Sequence, residues 1–396
     1  MVKVCILSSV HTALDNRVFY REARSLQRAG FAVTLIAVHD GEEVKDGIQI
    51  IGLPRVPRWK RPLLWLALLR HALGTEAEVY HFHDPELLLV TPWLRWLTDK
   101  PTIYDIHETY ADFIEIKEYL PAWLRYPIAW TFRWLEPLLA RLQSGLIFAD
   151  DEIAASCEAV KRPKATLFNY PERSFVEQAA AAIDSTQPRE PVILYLGSIE
   201  RARGSRLMVE AFHLVRQRTP DARLLLVGHF APEDLEQEVS AHASRLGLQD
   251  AIEIAGRVPF ETIGSFLSQA AVGWIPFQPV PKYLRNIPTK LFEYMAYGVP
   301  IVSSDLPTTR PFVAKGTSGY LVPADDPAAH AEAILQILNH PDEAASMGRQ
   351  GQELVRKEYN WSQMEKSLLE LYGELLPESL VHPAQIEGQS VNDNQI

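Results

Sequence analysis

The sequence predicts an α/β protein with two doubly wound, parallel-sheet halves that face a central cleft. The chain has 396 residues, of which 47% are hydrophobic, and it exceeds the size at which one hydrophobic core usually stops growing. Strand-length apolar runs alternate with helical patterns, which is typical of a parallel sheet covered on both faces. The alternation stops in a run of small and proline residues, 179–191, and then starts again. We therefore expect two Rossmann-like domains.

Each half contains its own series of strands. In the first half the apolar runs, separated by helical patterns such as RVFYREARSLQRAG, are KVCILSS, AVTLIAV, EVYHFHD, TIYDIHE and SGLIFAD. In the second half they are VILYLGS, ARLLLVG, AIEIAG, AVGWIPF and VPIVSSD. Ligands bind at the carboxyl ends of the strands in open parallel sheets. The residues directly after these runs are therefore the first candidates for a site.

The domain boundaries follow from the same patterns. We predict an N-terminal domain over residues 1–180 and a C-terminal domain over residues 181–358, which ends in helices over 326–340 and 341–358. A final helix, 359–376, is predicted to pack back on the N-terminal domain. Residues 377–396 lack periodicity, which is typical of a disordered tail.

The charge and the cysteine content exclude several classes of protein. A formal net charge of -11 argues against a general nucleic-acid binder, which needs a basic face. Cys5 and Cys157 offer neither a metal-binding spacing nor a disulfide framework, so we expect a reducing cytoplasm. The first run, MVKVCILSSV, has strand length and no small-residue cleavage site. No apolar stretch reaches the roughly 18 residues of a spanning helix, which predicts a protein that is soluble or bound to a membrane surface.

The string PTKLFEYMAYGVP places a carboxylate, Glu293, in an otherwise apolar helix. Pro288 and Thr289 are suitable helix-start residues and Gly298 is a suitable C-terminal cap, so Lys290 lies at the helix start. An acid in this place complements the helix dipole even without a ligand. A helix N-terminus with a lysine can also bind an anion, while a nearby carboxylate accepts hydrogen bonds from sugar hydroxyls. A nucleotide sugar needs both.

The longer string PTKLFEYMAYGVPIVSSDLP, with GRVPFETIGSFLSQAAVGWIPF before it and GYLVPADDP after it, resembles the donor-binding half of GT-B glycosyltransferases, in particular glycosyltransferase family four. The resemblance extends to HFHDPELL, YDIHETY and YNWSQMEKSLLELY, so it covers the chain to about residue 376. It implies that the N-terminal domain binds the acceptor and that the C-terminal domain binds the nucleotide-sugar donor, a UDP- or GDP-sugar. It implies no further cofactor.

The same resemblance implies roles for single residues of the donor half. Glu293 matches the family's glutamate that binds the ribose hydroxyls, whereas a second glutamate, which commonly holds the donor sugar, is replaced by Arg285. The loop LGSIERARG resembles the family's phosphate loop, with Ser198 in place of an arginine and Arg203 in place of a lysine before Gly204. Arg203 and Lys290 can still neutralise a diphosphate.

Weaker donor candidates lie beside these residues. Pro288 and Thr289 precede Lys290 at the helix start, and the string GRV would place the backbone of Arg257 and Val258 against the nucleobase. As a lone string, GRV is more often only a turn. Arg201 is a reserve phosphate candidate that is more simply explained as a solvated loop residue.

Two strings rich in histidine end strands of the N-terminal half. They supply His81, His83, Asp84, Asp105, His107 and Glu108. Metal ligands must converge on one point, which the spacing does not show, so we expect no metal site. The resemblance implies a metal-independent enzyme, in which cationic side chains stabilise the leaving diphosphate.

The resemblance also assigns candidates on the acceptor side. His107 matches the family's active-site histidine, which contacts the donor sugar and its phosphate, although alone it could be a locally satisfied strand-end residue. Asp84 and Glu108 are candidates for acceptor contacts or for structural partners. In the first loop, Asp15, Asn16 and Arg17 open a helix and could equally cap it. These are the remaining acceptor-side candidates.

Seven of the nine tryptophans fall between residues 59 and 134. The segment 53–74, LPRVPRWKRPLLWLALLRHALG, has five basic residues and no acid, which is the composition of an interfacial helix. A second segment, YLPAWLRYPIAWTFRWLEPLLARL, repeats the mixture. A helix packed on the sheet with solvated basic residues is the alternative. We predict peripheral association with an anionic membrane, on its cytoplasmic face.

Taken together, these features and the resemblance predict a glycosyltransferase that moves a sugar from a nucleotide diphosphate donor to a saccharide or lipid-linked saccharide, in cell-surface polysaccharide or glycoconjugate synthesis. The resemblance implies that the reaction is retaining. A nucleotide-sugar epimerase of similar fold is one alternative and would act on the donor alone. A non-catalytic nucleotide-sugar-binding partner subunit is the other, because Ser198 and Arg285 replace customary functional residues.

Overall fold

A computed structural model describes residues 1–108, 110–115, 121–182, 189–315 and 317–377. The chain divides into two compact units: unit 1 is Met1–Asn169 with the chain from Trp361 onward, and unit 2 is Tyr170–Asn360. Each unit is built on a largely or wholly parallel sheet with helices, so the predicted α/β class with two Rossmann-like domains is confirmed. Apart from its first residue, the predicted tail, 377–396, lies outside the described residues.

Unit 1 contains a sheet of eight strands in the order β3-β4-β2-β1-β5-β6-β7-β8. The strands are β1 Lys3–Thr12, β2 Ala32–Val38, β3 Glu42–Lys45, β4 Ile48–Leu53, β5 Val79–Phe82, β6 Thr102–Ile106, β7 Gly145–Phe148 and β8 Lys164–Thr166. All neighbours pair in parallel except β3 and β4. The central strands are buried from end to end, which explains their continuous apolar runs.

The helices of unit 1 cover both faces of this sheet, and their buried side chains form two hydrophobic clusters. The first six α-helices are α1 Arg24–Arg28, α2 Pro62–Gly74, α3 Thr91–Thr98, α4 Tyr110–Glu115, α5 Ala122–Ala140 and α6 Asp151–Ser156. A π-helix, Asn16–Ala23, precedes α1, and 3-10 turns occupy Arg58–Lys60 and Pro85–Leu89.

Unit 2 contains a parallel sheet of six strands in the order β11-β10-β9-β12-β13-β14. The strands are β9 Val192–Leu196, β10 Arg223–Val227, β11 Ile252–Gly256, β12 Val272–Ile275, β13 Ile301–Ser304 and β14 Gly319–Val322. The helices are α7 Arg173–Ala182, α8 Ser205–Arg218, α9 Leu235–Arg245, α10 Ile263–Gln269, α11 Lys290–Ala296, α12 Arg310–Lys315, α13 Pro327–Asn339 and α14 Pro341–Lys357, with 3-10 turns at Arg201–Arg203 and Phe260–Thr262.

The last helix, α15 (Trp361–Leu375), belongs to unit 1. Its Trp361 Nε1 donates a hydrogen bond of 2.8 Å to Ser25 Oγ, and Tyr372 is fully buried, with its hydroxyl 3.0 Å from His81 Nδ1. Both aromatic side chains find a polar partner, as buried Trp and Tyr usually require. The chain passes from unit 1 to unit 2 between residues 169 and 170 and returns to unit 1 between residues 360 and 361. The predicted domain boundaries were 180/181 and 358/359.

Segment 53–74 is not one helix. Strand β4 ends at Leu53, a 3-10 turn covers Arg58–Lys60, and α2 begins at Pro62. The prolines in this segment explain why α2 begins only at Pro62. Proline disfavours helical conformation in the residue before it but is well placed in a first helical turn. Within the residues described, no helix has both the length and the apolar character needed to cross a membrane.

Candidate active site

The switch point of the unit 2 sheet lies between β9 and β12, where neighbouring connections lead away in opposite directions. The loop after β9 begins with Gly197 and ends with Gly204, directly before α8. Gly204 has φ +81°, and a Cβ there would lie 2.2 Å from the carbonyl oxygen of Pro276, which follows β12. Only glycine allows this approach, so the predicted phosphate loop lies at the switch point, before the N-terminus of a 14-residue helix.

Arg203 and Lys290 converge on this loop from separate elements. A Cβ on Gly197, which has φ +104°, would lie 3.2 Å from Lys290 Nζ and 3.3 Å from Arg203 Nη1. Helix α11 carries Lys290 to this position because Tyr294 binds β9: its hydroxyl accepts from the amide of Leu196 (3.0 Å) and donates to the carbonyl of Leu194 (3.1 Å). The two predicted cations are therefore neighbours.

Lys290 is a buried cation without a hydrogen-bond acceptor among the described residues. It is 5% exposed, and its Nζ has no hydrogen-bond partner there but lies 3.8 Å from the ring centroid of Tyr195 and 4.9 Å from that of Phe277. Burial, followed by repulsion from Arg203, lowers the pKa of Lys290 well below its usual value. A buried charge of this kind is costly without an anion.

Arg203 is oriented by two residues that the sequence analysis did not identify. Its Nε donates to the Tyr283 hydroxyl (2.8 Å), which in turn donates to Glu200 Oε2 (3.1 Å). Burial lowers the pKa of Arg203, but Tyr195, Tyr283 and Glu200 more than offset this and the pKa is raised. Ser198, a predicted donor residue, donates its hydroxyl to Glu200 Oε1 (2.8 Å). Glu200 was visible in LGSIERARG, whereas nothing in the sequence marks Tyr283.

The remaining donor candidates lie at different degrees of exposure. Pro288 is buried, Glu293 is half-buried and Thr289 is exposed; Thr289 precedes α11 but its side chain makes no capping hydrogen bond. Arg257 is exposed and Val258 is half-buried, directly after β11. The exposed Arg285 lies before Pro288 in the loop that follows β12. Arg201 forms a surface ion pair with Glu238 (2.5 Å).

In unit 1, Arg17 and Asp105 form a buried bidentate ion pair. Arg17 Nε and Nη2 donate to the two carboxylate oxygens of Asp105, both at 2.9 Å, while Nη1 donates to the Leu167 carbonyl (2.6 Å) and to Asn169 Oδ1 (3.1 Å). Burial raises the pKa of Asp105, but Arg17 and the neighbouring histidines hold it well below its usual value. The Arg17 side chain is thus committed within the unit.

His107 follows β6 and lies at the edge of this pair. Its Nε2 is 3.1 Å from Asp105 Oδ2 and 3.0 Å from His83 Nδ1, and its side chain is 13% exposed. Burial lowers the pKa of His107 despite the opposing effect of Asp105, which favours a neutral imidazole at neutral pH. One edge of the ring is thus fixed by Asp105.

The other acceptor-side candidates differ in their exposure and in their hydrogen bonds to neighbouring residues. Asp84 is buried and accepts hydrogen bonds from Ser8 Oγ (2.8 Å) and Ser9 N (2.7 Å). Asp15 Oδ1 accepts from the amides of Arg17 (2.8 Å) and Val18 (3.1 Å), the capping arrangement. Asn16 is exposed and Glu108 is half-buried.

The tryptophan-rich segments lie at the surface of unit 1. The most exposed large apolar side chains on them are Trp59, Leu63, Leu66, Trp93, Trp96, Trp123, Tyr126, Trp130 and Trp134, all at least 59% exposed. Helix α3 packs beside α2, and Arg95 Nη1 of α3 donates to the carbonyl of Leu142 just beyond α5 (2.7 Å). Trp65 is half-buried and packs against the hydrophobic core of unit 1. Nine large apolar side chains, six of them tryptophans, are thus exposed on α2, α3, α5 and the 3-10 turn before α2.

Comparison with known proteins identifies the family. The model of "Glycosyl transferases group 1" matches residues 190–340, and the model of "Glycosyl transferase 4-like domain" matches residues 16–176. Phosphatidyl-myo-inositol mannosyltransferase of Mycobacterium leprae is 24% identical over 314 residues, 78% of this chain and 77% of that protein. D-inositol 3-phosphate glycosyltransferase of Corynebacterium urealyticum is 28% identical over 46% of this chain, and the match spans only 43% of that relative's length.

A solved structure gives the same fold at low sequence identity. Sucrose-phosphate synthase from Thermosynechococcus elongatus superposes with a TM-score of 0.74 at 20% identity, over 95% of this chain and 99% of that one. The predicted family is therefore confirmed: the chain belongs to the glycosyl transferases group 1 family and is a glycosyltransferase of GT-B fold that uses a nucleotide sugar.

Proposed function

We propose that the protein is a retaining glycosyltransferase that takes a sugar from a UDP- or GDP-sugar and transfers it to a saccharide or lipid-linked saccharide, in cell-surface polysaccharide or glycoconjugate synthesis. The observation that carries the proposal is Lys290 Nζ, buried beside Arg203 with no hydrogen-bond partner among the described residues. A diphosphate supplies the anionic oxygens that both cations need.

The proposed reaction forms a bond from an acceptor oxygen to the anomeric carbon while the bond from that carbon to the diphosphate breaks. The acceptor attacks from the side of the leaving group, and its proton passes to the departing phosphate. Negative charge gathers on the diphosphate during this step. Arg203, Lys290 and the N-terminus of α8 are placed to stabilise it, and preorganised charges of this kind often supply the largest catalytic contribution. No divalent ion is required at the diphosphate.

Two more residues have proposed roles near the donor. Glu293 lies one helical turn from Lys290 and accepts hydrogen bonds from the ribose hydroxyls. His107, held at Nε2 by Asp105, contacts the donor sugar and its phosphate as a neutral imidazole. On the acceptor side we retain Asn16 and Glu108, because Asp15, Arg17 and Asp84 are engaged with neighbours inside unit 1.

A nucleotide-sugar panel tests the proposal. Each UDP- and GDP-sugar is added in a thermal-shift assay, since a ligand of the native state raises its stability. The best donor is then incubated with saccharide and lipid-linked acceptors, and release of nucleotide diphosphate is measured. Release that depends on the acceptor supports transfer. Conversion of the donor alone would indicate an epimerase, and binding without release from any acceptor would indicate a partner subunit.

We also propose that the exposed apolar residues of the 3-10 turn Arg58–Lys60, α2, α3 and α5 lie against an anionic membrane surface at its cytoplasmic face. Basic residues lie in the same parts of the chain: Arg55, Arg58, Lys60 and Arg70 are exposed in segment 53–74, and Arg125 is half-buried in α5. Each attracts anionic lipid by about 1 kcal/mol near the surface, and exposed tryptophans are favoured at the headgroup level. The name of the M. leprae relative gives a phosphatidyl lipid as its acceptor, which supports a lipid-linked acceptor here.

Vesicle flotation tests the membrane proposal. We expect binding that rises with anionic lipid and weakens with salt. Exchange of Arg58 and Lys60 for glutamate should weaken binding by at least about 2 kcal/mol, roughly 30-fold. Arg61 is left unchanged because its Nη1 pairs with Glu86 (3.3 Å). The matched control exchanges two exposed arginines of unit 2, Arg245 and Arg349, and should bind normally. A parent protein that stays unbound at low salt would overturn the proposal.

A further inference from the structure

Four potential metal ligands lie together inside unit 1, and the mechanism proposed above does not use them as a set. One donor atom from each of Glu22, His81, His83 and Asp105 can be chosen so that all four lie within 4.8 Å of one another, and all four residues are 0% exposed. Glu22 comes from the π-helix, the two histidines from β5 and the position after it, and Asp105 from β6. The last three lie in the strings HFHDPELL and YDIHETY, whereas Glu22 lies outside both.

The donor atoms that face each other in this cluster lack hydrogen-bond partners. Neither carboxylate oxygen of Glu22 has one among the described residues, and the same holds for His81 Nε2 and His83 Nε2. Each of these two nitrogens lies 3.6 Å from Glu22 Oε2, beyond hydrogen-bond range but close to the separation of ligand atoms around one tetrahedral metal ion. Buried polar atoms are rarely left unpaired in this way.

Both histidines are already oriented by their other ring nitrogen. His81 Nδ1 lies 3.0 Å from the Tyr372 hydroxyl, and His83 Nδ1 lies 3.2 Å from Asp105 Oδ2. A proton on Nδ1 leaves the lone pair of Nε2 directed away from these partners. Hydrogen bonds from the second nitrogen to a carboxylate or hydroxyl are the usual support for metal-binding histidines.

Arg17 does not supply a hydrogen bond to Glu22. Its single Nε hydrogen and one Nη2 hydrogen are donated to the carboxylate of Asp105. Arg17 Nε is also 3.0 Å from Glu22 Oε1, but its hydrogen is already given to Asp105. The carboxylate of Glu22 is thus left without a hydrogen-bond donor among the described residues.

We propose that Glu22, His81 and His83 bind one divalent transition-metal ion, zinc by its ligand preference, with Asp105 and Tyr372 orienting the two imidazoles. Two imidazole nitrogens and Glu22 Oε2 supply three donor atoms, a set that suits Zn²⁺ with a water as the fourth ligand. The ion would fix His83 beside His107. Its ligands are all residues of unit 1, whereas Arg203 and Lys290 belong to unit 2, and this inference does not depend on the proposed reaction.

Metal content tests the site directly. Tag-free protein is expressed with added zinc, dialysed and analysed by plasma mass spectrometry. We expect about one zinc per chain in the parent, because the proposal names a single site. Glu22→Gln, which keeps the shape of the side chain but removes its charge, should lose the metal. The matched control His39→Gln alters a surface His–Glu pair (3.4 Å to Glu43) that has no second imidazole, and should keep it.

Cobalt provides a measurement that does not depend on whether a variant folds. Parent protein expressed in minimal medium with Co²⁺ should show the visible absorption bands of four-coordinate cobalt. Zinc well below stoichiometric amounts in the parent, together with no cobalt spectrum, would overturn the proposal and leave a proton on Glu22 as the balancing charge. Full zinc content in Glu22→Gln, or its loss in His39→Gln, would also overturn it.

Discussion

Exchange of Lys290 for methionine separates the proposed function of this residue from any structural one. Methionine has a similar length and can pack between Tyr195 and Phe277, where the lysine now lies. If Lys290 is kept for a diphosphate, its removal costs the variant one charge-assisted hydrogen bond to that ligand, about 1.5 to 3 kcal/mol. This corresponds to a dissociation constant about 10- to 150-fold higher.

Unlike its diphosphate affinity, the stability of the folded Lys290→Met variant should not fall. Because the pKa of Lys290 is lowered in the folded protein, the unfolded chain holds the proton more tightly between that lowered value and the usual lysine pKa. The free energy of unfolding of the parent should therefore rise with pH across that window. Lys290→Met should lose this contribution to the slope and be at least as stable as the parent at neutral pH, by thermal melting.

Calorimetry measures the binding side. The nucleoside diphosphate chosen by the donor panel is titrated into parent and variant, with the bare nucleoside as a second ligand and Lys357→Met, an exposed lysine of unit 2, as the control variant. We expect weaker diphosphate binding in Lys290→Met, unchanged nucleoside binding and a normal control. Equal diphosphate affinity in parent and Lys290→Met, or a large loss of stability without loss of affinity, would refute the argument.

Three further predictions follow from the proposed site. Glu293→Ala should weaken nucleotide binding by about 1.5 to 3 kcal/mol with little change in melting temperature, and unchanged affinity by calorimetry would remove the ribose assignment. Arg203→Ala should reduce turnover more than nucleoside binding, because it contacts charge that develops as the bond breaks; a parent-like transfer rate would contradict this. Transfer should continue in excess EDTA, since cations of the chain replace a divalent ion at the diphosphate, whereas a loss reversed by Mg²⁺ or Mn²⁺ would show a metal requirement there.

The fold class could be predicted because strand-length apolar runs alternate with helices along both halves. A continuous apolar run of this length indicates a strand that is buried on both faces. Strands β3, β4, β8 and β14 were not predicted. β4 (IQIIGL) is only partly buried and β8 (KAT) has three residues, so neither was recognised as a buried strand. β3 (EEVK) is polar and mostly exposed at a sheet edge, so it lacks the apolar run that marks a buried strand. β14 lies in GYLVPADDP, a string that the sequence analysis used only as a family motif.

The candidate site was predictable where the sequence had a family pattern and not where it depended on distant pairs. Arg203 and Lys290 were assigned to one diphosphate from the motifs, and they do lie together. By contrast, Arg17 binds Asp105 across 88 residues and Tyr283 binds Arg203 across 80. Such partners meet only because parallel strands bring their carboxyl ends to one edge. Spacing along the chain carries no signal for them.

The two units differ in how their charged donors at equivalent positions of the same fold are engaged. At the β9/β12 switch point, Arg203 and Lys290 lie beside one carboxylate, Glu200, and Lys290 Nζ has no hydrogen-bond partner among the described residues. At the β1/β5 switch point, the guanidinium of Arg17 donates to Asp105, to the Leu167 carbonyl and to Asn169. Both sheets offer a crevice of the same kind, but a diphosphate that enters unit 2 meets a cationic group that still lacks an acceptor. We therefore expect the diphosphate in unit 2 because of the charged groups there rather than because of the fold.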